Sequence, residues 1–367
     1  MGMHKNWGNR PWVVDFYAAK QALPATVDFA VVGGGFTGLA AAAWLKKLAP
    51  DKAVALFEGR QFGAGSSGHT GGVALAETAA GDLPGLGDVL AGYQQITREL
   101  QVESDLLLPG CYELARADPL PNSPIFWRDS GDLCATKEVP GGTINPGKTV
   151  SGLARAAERA GVLLFEETEV LDARFEKSVQ LRTAAGITRA QKVLFATNAF
   201  ASELIGLEGR VQPAFTTAVM TEPLEECVLQ QVGLAERKPF YTVDLPYLWG
   251  RLLGNAVIFG CGLIFFEDWR ELNSLDIESE EAQEVFQRLE RRVHRMSPAL
   301  KGVRFTHRWG GPICISESWQ PVFKKHAQSE NAIVLGAYSG HGVTQSVYLG
   351  AWAAEALLGR RALPDWG

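Results

Sequence analysis

Cysteine and histidine are scarce in this chain of 367 residues. It contains five cysteines and six histidines. The cysteines are Cys111, Cys134, Cys227, Cys261 and Cys314. Their number is odd, no pair has CxxC spacing, and the histidines are scattered, so the sequence contains no metal-binding signature. This cysteine usage is typical of a reducing compartment.

Long apolar runs are also missing. The most apolar predicted helix segment, Leu39–Leu45, is far too short to span a bilayer and is followed by Lys46 and Lys47. The first eleven residues lack the apolar core of a signal peptide. The net charge of −6 argues against nucleic acid or an anionic membrane as a partner. We therefore expect a soluble, cytoplasmic protein that binds neither nucleic acid nor membrane.

Glycine, by contrast, is abundant, with 40 residues, and its most informative cluster follows a predicted strand at Thr26–Val32. Gly33 allows a tight turn out of the strand, and Gly35 has no Cβ to keep a pyrophosphate away. Gly38 lets the following helix, Gly35–Leu48, pack closely on the sheet. The free N–H groups and dipole at the helix start favour a phosphate. This pattern predicts a dinucleotide site.

Two features after the first helix support this site. Glu58 ends the next predicted strand, Ala53–Phe57, twenty residues after Gly38. A carboxylate there accepts hydrogen bonds from ribose hydroxyls and repels a 2′-phosphate. A second glycine-rich loop, Gly63–Gly72, follows, and its backbone N–H groups and hydroxyls are suited to wrapping phosphates or a sugar chain. A nicotinamide-binding fold does not need this second loop.

The C-terminal part repeats the strand, glycine turn and helix. A buried strand from Ile333 leads into the glycine turn Tyr338–Gly342, and a helix follows at Val343–Leu358. The start of this helix is placed to face a second part of the same cofactor. If that part is a flavin ring, the helix dipole stabilises negative charge at its pyrimidine edge. An ordinary turn before a helix is the alternative.

The elements of the nucleotide type occur at the start, the middle and the end of the chain, so we expect an α/β fold with two discontinuous lobes. The cofactor-binding lobe is predicted to contain residues 1–75, 142–205 and 325–367. The substrate-binding lobe is predicted to contain residues 76–141 and 206–324, with an inserted antiparallel sheet.

Periodicity predicts several further elements. A short leading helix is expected at Asp15–Leu23 and an amphipathic helix at Asp88–Leu108. Paired strands at Glu169–Phe175 and Val179–Thr183 are expected to form a hairpin. Glu280–Arg295 reads as a charged amphipathic helix.

Taken together, these motifs resemble the FAD-dependent oxidoreductases of the D-amino-acid oxidase superfamily, and within it the γ-glutamylputrescine oxidoreductase type. The resemblance covers most of the chain. It implies a Rossmann-like lobe of the glutathione-reductase type that binds FAD, beside an antiparallel-sheet lobe for substrate. The motifs that carry it are Val32–Gly38, Gly63–Gly72, Phe195–Phe200, Arg308–Gly311 and Tyr338–Val343.

The resemblance also implies which residues bind FAD. The first motif would bind the ADP part, the second loop would pass the pyrophosphate and flavin, and the last turn would face the flavin pyrimidine. The backbone near Val170 would meet the adenine. Cys314 is not in register with the cysteine that links flavin in some relatives, so FAD is expected to be non-covalent. The implied FAD residues are Gly33, Gly35, Phe36, Thr37, Gly38, Glu58, Gly59, Arg60, Gly65, Ser66, Ser67, Gly68, His69, Gly71, Gly72, Val170, Ala196, Thr197, Asn198, Gly310, Gly340, His341, Gly342 and Val343.

The reaction implied is oxidation of a C–N bond in an amine or an N-substituted amino acid. A neutral amine would pass hydride to flavin N5, the imine would hydrolyse, and dioxygen would take the electrons and yield peroxide. No strong catalytic base is required, and no catalytic triad is assigned.

Four residues are candidates for the substrate side. Arg251 is the first candidate for a substrate carboxylate, and Trp309 is either a substrate contact or core. Some relatives activate oxygen with a lysine over the flavin. This chain has no lysine between Lys238 and Lys301, so Arg270 is considered as its electrostatic replacement. His341 is expected to be a flavin-loop residue more than a proton carrier.

Departures from the family pattern leave alternatives open. Related amino-acid oxidases place an arginine near position 313 to hold the substrate carboxylate. This chain has Ile313, which cannot do so, and this argues against an oxidase of glycine, sarcosine or D-amino acids. Gly68-His69-Thr70 stands where relatives commonly have Gly-Arg-Asn. The segment between Pro109 and Gly142 is shorter than in the γ-glutamylputrescine oxidoreductase type. A dehydrogenase or an electron-transfer flavoprotein subunit with another acceptor is a further alternative. A NAD-dependent dehydrogenase would leave the C-terminal turn unexplained.

Overall fold

A computed structural model describes residues 7–207 and 209–366 of the chain. Residues 1–6, 208 and 367, which the predicted lobes include, lie outside the described residues. The first of two eight-stranded sheets contains β1 (Thr26–Val32), β2 (Val54–Phe57), β8 (Leu163–Phe165), β9 (Val170–Phe175), β10 (Val179–Thr183), β11 (Gly186–Phe195), β17 (Val322–His326) and β18 (Ser329–Gly336). The second contains β4 (Cys111–Ala115), β5 (Phe126–Arg128), β6 (Asp132–Val139), β12 (Val211–Thr221), β13 (Phe240–Thr242), β14 (Trp249–Leu253), β15 (Ala256–Phe265) and β16 (Phe305–Ser316).

The remaining elements are a short ribbon and the helices. The ribbon pairs β3 (Val73–Leu75) with β7 (Gly141–Thr143). The helices are α1 (Phe36–Leu48), α2 (Ser66–His69), α3 (Val89–Glu99), α4 (Pro146–Arg159), α5 (Ser202–Ile205), α6 (Glu226–Gln231), α7 (Trp269–Ser274), α8 (Glu280–Met296) and α9 (Gly342–Leu357).

The first sheet has the order β17-β18-β11-β1-β2-β8, and the five strands from β18 to β8 are parallel. The hairpin β9–β10 adds to β11 in antiparallel fashion. Val31 packs with α1, α4 and α9, whereas Val32 packs with the hairpin on the other face. Because both faces are covered, the central strands are apolar almost throughout. The carboxyl ends of β1, β2 and β11 all meet at one edge, where a cofactor site is expected in such sheets.

The second sheet has the order β16-β12-β15-β14-β13-β4-β6-β5 and is antiparallel except where β13 pairs with β4. Phe286 and Val293 of α8 pack against Phe215 and Val219 of β12 to form its core. The Ser279 hydroxyl accepts a hydrogen bond from Ala282 N–H and caps this helix. The predicted fold class, an α/β sheet with an antiparallel-sheet lobe, is confirmed. The lobe boundaries themselves stay a prediction.

Two predicted helices differ in the structure. Residues 15–23 form no helix, because their backbone binds elsewhere: Asp15 N–H donates to Ser151 Oγ and Ala18 N–H donates to the Glu166 carboxylate, each at 2.8 Å. A nine-residue helix has little intrinsic stability to oppose such contacts. The helix α3 ends at Glu99, nine residues early, because Gln101 adopts a left-handed backbone with φ of 55°. The predicted hairpin and the predicted helix at Glu280–Arg295 are confirmed.

Within residues 7–207 and 209–366, none of the helices has both the length and the apolar character that crossing a membrane requires.

Candidate active site

A cavity of about 1470 Å³ is lined by residues of both sheets. Its volume exceeds the roughly 300–1000 Å³ of typical small-molecule sites. The cavity therefore has space for an extended cofactor beside a smaller ligand. Its walls come from the first glycine turn, the loop around α2, the ends of β11 and β16, and the turn before α9.

The glycines of the first turn are required by close backbone contacts. Gly33 has φ of 112°, and a Cβ there would lie 2.5 Å from the carbonyl oxygen of Ala196. A Cβ on Gly38 would overlap the carbonyl oxygen of Gly33. The N-cap residue of α1 is Gly35, which has no side chain to cap the helix, and the first turn has no acidic residue. This helix start can therefore receive an anionic group.

Glu58 closes the carboxyl end of β2 and lines the cavity. Its Oε2 accepts a hydrogen bond from Gly34 N–H at 2.7 Å, and its Oε1 accepts one from Arg60 N–H at 2.9 Å. Burial raises the pKa of Glu58, and these two backbone hydrogen bonds oppose the rise. The carboxylate is held in one orientation, as an acceptor for ligand hydroxyls must be.

The loop around α2 ties together three walls of the cavity. Ser67 Oγ accepts a hydrogen bond from Phe36 N–H at 2.9 Å. Ser66 Oγ donates to the carbonyl oxygen of Pro312 at 2.5 Å and accepts from Asn198 Nδ2 at 3.0 Å. The loop is therefore fastened to the first glycine turn, to the end of β11 and to β16.

His69, at the end of α2, is kept neutral. Burial, followed by the neighbouring Arg10 guanidinium, lowers the pKa of His69 to about 3. Its Nδ1 lies 2.9 Å from the carbonyl oxygen of Gly65, and Arg10 Nη1 lies 3.1 Å from its Nε2. This arrangement assigns the proton to Nδ1, which donates to the carbonyl, while Nε2 accepts from the guanidinium. Arg10 was not predicted as part of the site.

The C-terminal turn meets the first glycine turn directly. The Tyr338 hydroxyl and Thr37 Oγ1 share a hydrogen bond of 2.7 Å, and Asn198 Oδ1 accepts from Ala337 N–H at 2.9 Å. His341 lines the cavity at the start of α9, and burial lowers its pKa. Segments more than 300 residues apart in sequence therefore form one continuous wall.

The predicted FAD residues fit such a cofactor. All of them line the cavity except Gly38, Gly68 and Gly72, which allow close backbone packing beneath it. Thr197 Oγ1 is buried and has no hydrogen-bond partner among the described residues. A buried hydroxyl without a partner is unusual in a folded protein, and a polar ligand in this cavity would satisfy it.

The structure corrects the prediction for Arg251. This residue is 5% exposed and lies outside the cavity lining. Its Nη1 donates to the carbonyl oxygens of Ile144 at 2.5 Å and Gly72 at 3.2 Å. Burial lowers the pKa of Arg251 to about 10. The guanidinium fastens loop backbone and does not point toward a substrate.

The other two candidates lie in different places: Arg270 is outside the cavity lining, whereas Trp309 is part of it. Arg270 is exposed, lies outside the cavity lining and pairs with Glu203 and Asp268, which argues against the electrostatic role considered for it. Trp309 is fully buried, and its Nε1 donates to the carbonyl oxygen of His69 at 3.0 Å. It lines the cavity as part of the packed wall.

The sequence analysis missed three further residues of the cavity lining, Glu77, Glu113 and Tyr241. The Tyr241 hydroxyl donates to the Glu77 carboxylate and lies 3.4 Å from Oε2 of Glu113. The Tyr241 ring lies 6.4 Å from the His341 ring, edge to face. These positions are far apart in sequence and share no motif, so no local signal could have joined them. Aromatic residues also line the cavity, namely Tyr247, Trp249, Trp269 and Trp319.

Comparison with known proteins agrees with this geometry. The family model described as FAD dependent oxidoreductase (DAO) matches residues 28–138 and 113–356. The chain is 26% identical to γ-glutamylputrescine oxidoreductase of Escherichia coli (strain K12), over 91% of this chain and 84% of that protein. It is 25% identical to glycine oxidase of Geobacillus kaustophilus (strain HTA426), over 89% and 92% respectively.

Solved structures share the fold. The glycine oxidase structure from Geobacillus kaustophilus aligns with a TM-score of 0.71, covering 92% of this chain and 96% of that chain at 21% identity. L-proline dehydrogenase from P. horikoshii aligns with a TM-score of 0.74, covering 93% and 95% at 19% identity. Since the family model matches most of the chain, this protein belongs to the DAO family of FAD dependent oxidoreductases.

Proposed function

We propose that this protein oxidises a C–N bond of an amine or N-substituted amino acid with FAD, and that dioxygen is the electron acceptor. Overall, the amine, water and dioxygen would give a carbonyl compound, a smaller amine and hydrogen peroxide. FAD, when bound, supplies the two-electron oxidation. The observation that carries the proposal is the single cavity built by both glycine turns, which the Thr37–Tyr338 hydrogen bond joins.

Different residues of the cavity would hold different parts of the cofactor. Glu58 would accept hydrogen bonds from ribose hydroxyls, and the start of α1 would receive the pyrophosphate. The start of α9 points its N–H groups and dipole at the cavity, where they would stabilise negative charge. His341 at this position is neutral, so it contributes a polar ring without a fixed charge.

The attachment of FAD is proposed to be non-covalent. Cys314 lines the cavity, and burial raises the pKa of its thiol to about 12. A thiol at neutral pH is a poor nucleophile compared with a thiolate. Acid precipitation of the holoprotein is expected to release all the flavin into the supernatant. Yellow colour that remains with the pellet would contradict this expectation.

The substrate end has the character of an amine pocket. Ile313 lines the cavity. The resemblance to amino-acid oxidases implies an arginine near this position to hold a substrate carboxylate, and isoleucine cannot do so. Tyr247, Trp249 and Trp269 supply aromatic walls that exclude water from the reacting bond. The protein's contribution to the reaction is therefore to position a neutral amine and to keep the site dry.

A second candidate function differs from the first only in the electron acceptor. No lysine lines the cavity within the described parts of the chain, and one structural neighbour is named a dehydrogenase. This observation favours a carrier other than dioxygen as the alternative acceptor.

One experiment tests both candidates. The purified holoprotein is mixed anaerobically with a panel of amines, N-alkyl amino acids and α-amino acids, and loss of flavin absorbance is followed. We expect reduction by amines, then reoxidation by air with one peroxide per amine. Reduction by α-amino acids alone would overturn the amine assignment. Reduction without peroxide in air would favour the other acceptor, and a protein that binds no FAD would overturn the whole proposal.

A further inference from the structure

The lining of the cavity has more acidic than basic residues. Arg60 is the only cation among the described residues of the lining, and it lies beside Glu58. Glu167 and Glu169 also lie near this arginine. The other carboxylates of the lining are Glu77, Glu113 and Asp244. Asp244 is neutralised by Arg116 outside the cavity, with an ion-pair distance of 2.6 Å. Glu77 and Glu113 form no ion pair with any described residue.

These two carboxylates are held by rigid elements. Glu113 lies on β4 directly opposite Tyr241 on β13. The carbonyl oxygen of Glu77 accepts a hydrogen bond from Gln345 Nε2 at 2.5 Å, which fastens it to α9. The Tyr241 hydroxyl lies between the two carboxylates, and burial, followed by Glu77, raises the pKa of Tyr241. The hydroxyl is therefore a fixed donor that the two carboxylates share.

A shared hydroxyl cannot compensate two negative charges. Carboxylates that meet at one donor repel each other, and a cavity screens this repulsion less than bulk water does. A cation between them would remove the repulsion and use their free lone pairs. No described side chain supplies that cation, although the cavity leaves room for a ligand that could.

We propose that Glu77, Glu113 and Tyr241 bind an ammonium group of the substrate, and that the substrate is a diamine or polyamine without a carboxylate. This inference rests on the proposed amine oxidation and selects among its substrates. A nitrogen held by two carboxylates stays protonated, so it has no lone pair to release into its C–N bond. The nitrogen that is oxidised is therefore a second, neutral one.

The test compares three ligands that share a four-carbon chain, under anaerobic conditions: 1,4-diaminobutane, n-butylamine and 4-aminobutanoic acid. Binding to the FAD-loaded protein is measured by calorimetry, and flavin absorbance is recorded in the same samples. We expect the diamine to bind at least about tenfold more tightly than the monoamine. The amino acid is expected to bind more weakly than either, because its carboxylate would meet Glu77 and Glu113.

Matched variants test the residues. Glu77→Gln and Glu113→Gln are each expected to raise the Kd of the diamine about tenfold and to change the Kd of butylamine less. Glu77→Asp, which keeps the charge, should keep the preference for the diamine. Glu158→Gln removes one exposed carboxylate from α4 outside the cavity and should change neither Kd. FAD content and the flavin spectrum check that each variant is folded.

The outcomes separate this inference from the proposed function. If amines bleach the flavin but wild-type protein shows no preference for the diamine, the function stands and the inference fails. An unchanged diamine Kd in both Glu→Gln variants also overturns the inference. If the diamine binds as expected but no amine bleaches the flavin, the proposed oxidation fails, and the substrate assignment fails with it.

Discussion

His69 illustrates how the fold sets the charge of a single residue. An unfolded chain protonates histidine near pH 6.5, whereas the folded protein keeps His69 neutral down to about pH 3. Between these values the unfolded state binds a proton that the folded state does not. The stability that the folded state gains from this difference is fully present above about pH 6.5. It is lost as the pH falls, by about 1.4 kcal/mol of unfolding free energy per pH unit.

We therefore predict that His69→Gln flattens the loss of stability in acid. Between pH 7.5 and pH 5.0 the wild-type protein should lose up to about 2 kcal/mol more unfolding free energy than the variant, because only the wild type has this group to protonate. Urea unfolding at the two pH values measures the difference. Equal slopes for His69→Gln and wild type would contradict the prediction.

Single residues were also where prediction from sequence was weakest. Glu58 and the turn glycines could be predicted because their chemistry depends on neighbours close in sequence. The contacts of Arg251 could not be predicted in this way, because a guanidinium can bind either a substrate carboxylate or a backbone carbonyl. Which of the two it meets depends on Ile144, a contact 107 residues away in sequence.

At the scale of elements, the segment 7–12 fastens two walls of the cavity. Trp12 Nε1 and Arg10 Nη1 both donate to the carbonyl oxygen of Gly68, at 2.8 and 2.9 Å. The carbonyl oxygen of Trp7 accepts from Gly310 N–H at 2.8 Å. The segment has no regular secondary structure beyond a single bridge of Gly8 to β16. It acts by holding α2 beside β16.

We predict that Arg10→Ala weakens FAD binding about tenfold, because the loop around α2 loses contacts to Gly68 and His69. Quenching of FAD fluorescence, titrated with apoprotein, gives the Kd. Arg98→Ala, an exposed arginine at the end of α3, serves as the matched control and should bind FAD normally. A Kd for Arg10→Ala equal to that of the control would show that this segment does not support the cofactor site.

Prediction succeeded for elements whose signal is local. The strands and helices of the glycine turns follow from apolar runs bounded by glycine, and the helix α8 follows from its amphipathic period and N-cap. The expected helix at residues 15–23 did not form, because acceptors on Ser151 and Glu166 bind its backbone N–H groups. Such competition between distant parts of the chain has no local signal.

At the scale of the whole molecule, a ligand in the cavity would contact both sheets at once. Gly33 follows β1 of the first sheet, whereas Gly310 belongs to β16 of the second. A ligand that binds only the folded state stabilises it in proportion to the logarithm of its concentration. The two sheets should therefore become more stable together when FAD is bound.

We predict that FAD at about a thousand times its Kd raises the unfolding free energy by about 4 kcal/mol and the Tm by several degrees. Thermal unfolding of apoprotein and holoprotein, followed by near-UV circular dichroism, measures the shift. Flavin release should coincide with loss of the protein signal. Release of FAD well below an unchanged Tm would show that the cofactor does not couple the sheets.

The sequence by itself determined the α/β class, the two glycine turns and the acid at the end of β2. These depend on backbone geometry and periodicity, which act over a few residues. Only the tertiary structure decided which charged groups face the cavity. It turned Arg251 away from the cavity, paired Arg270 at the surface, and brought Glu77 and Glu113 to one tyrosine. Long side chains have many possible partners, and long-range packing selects among them.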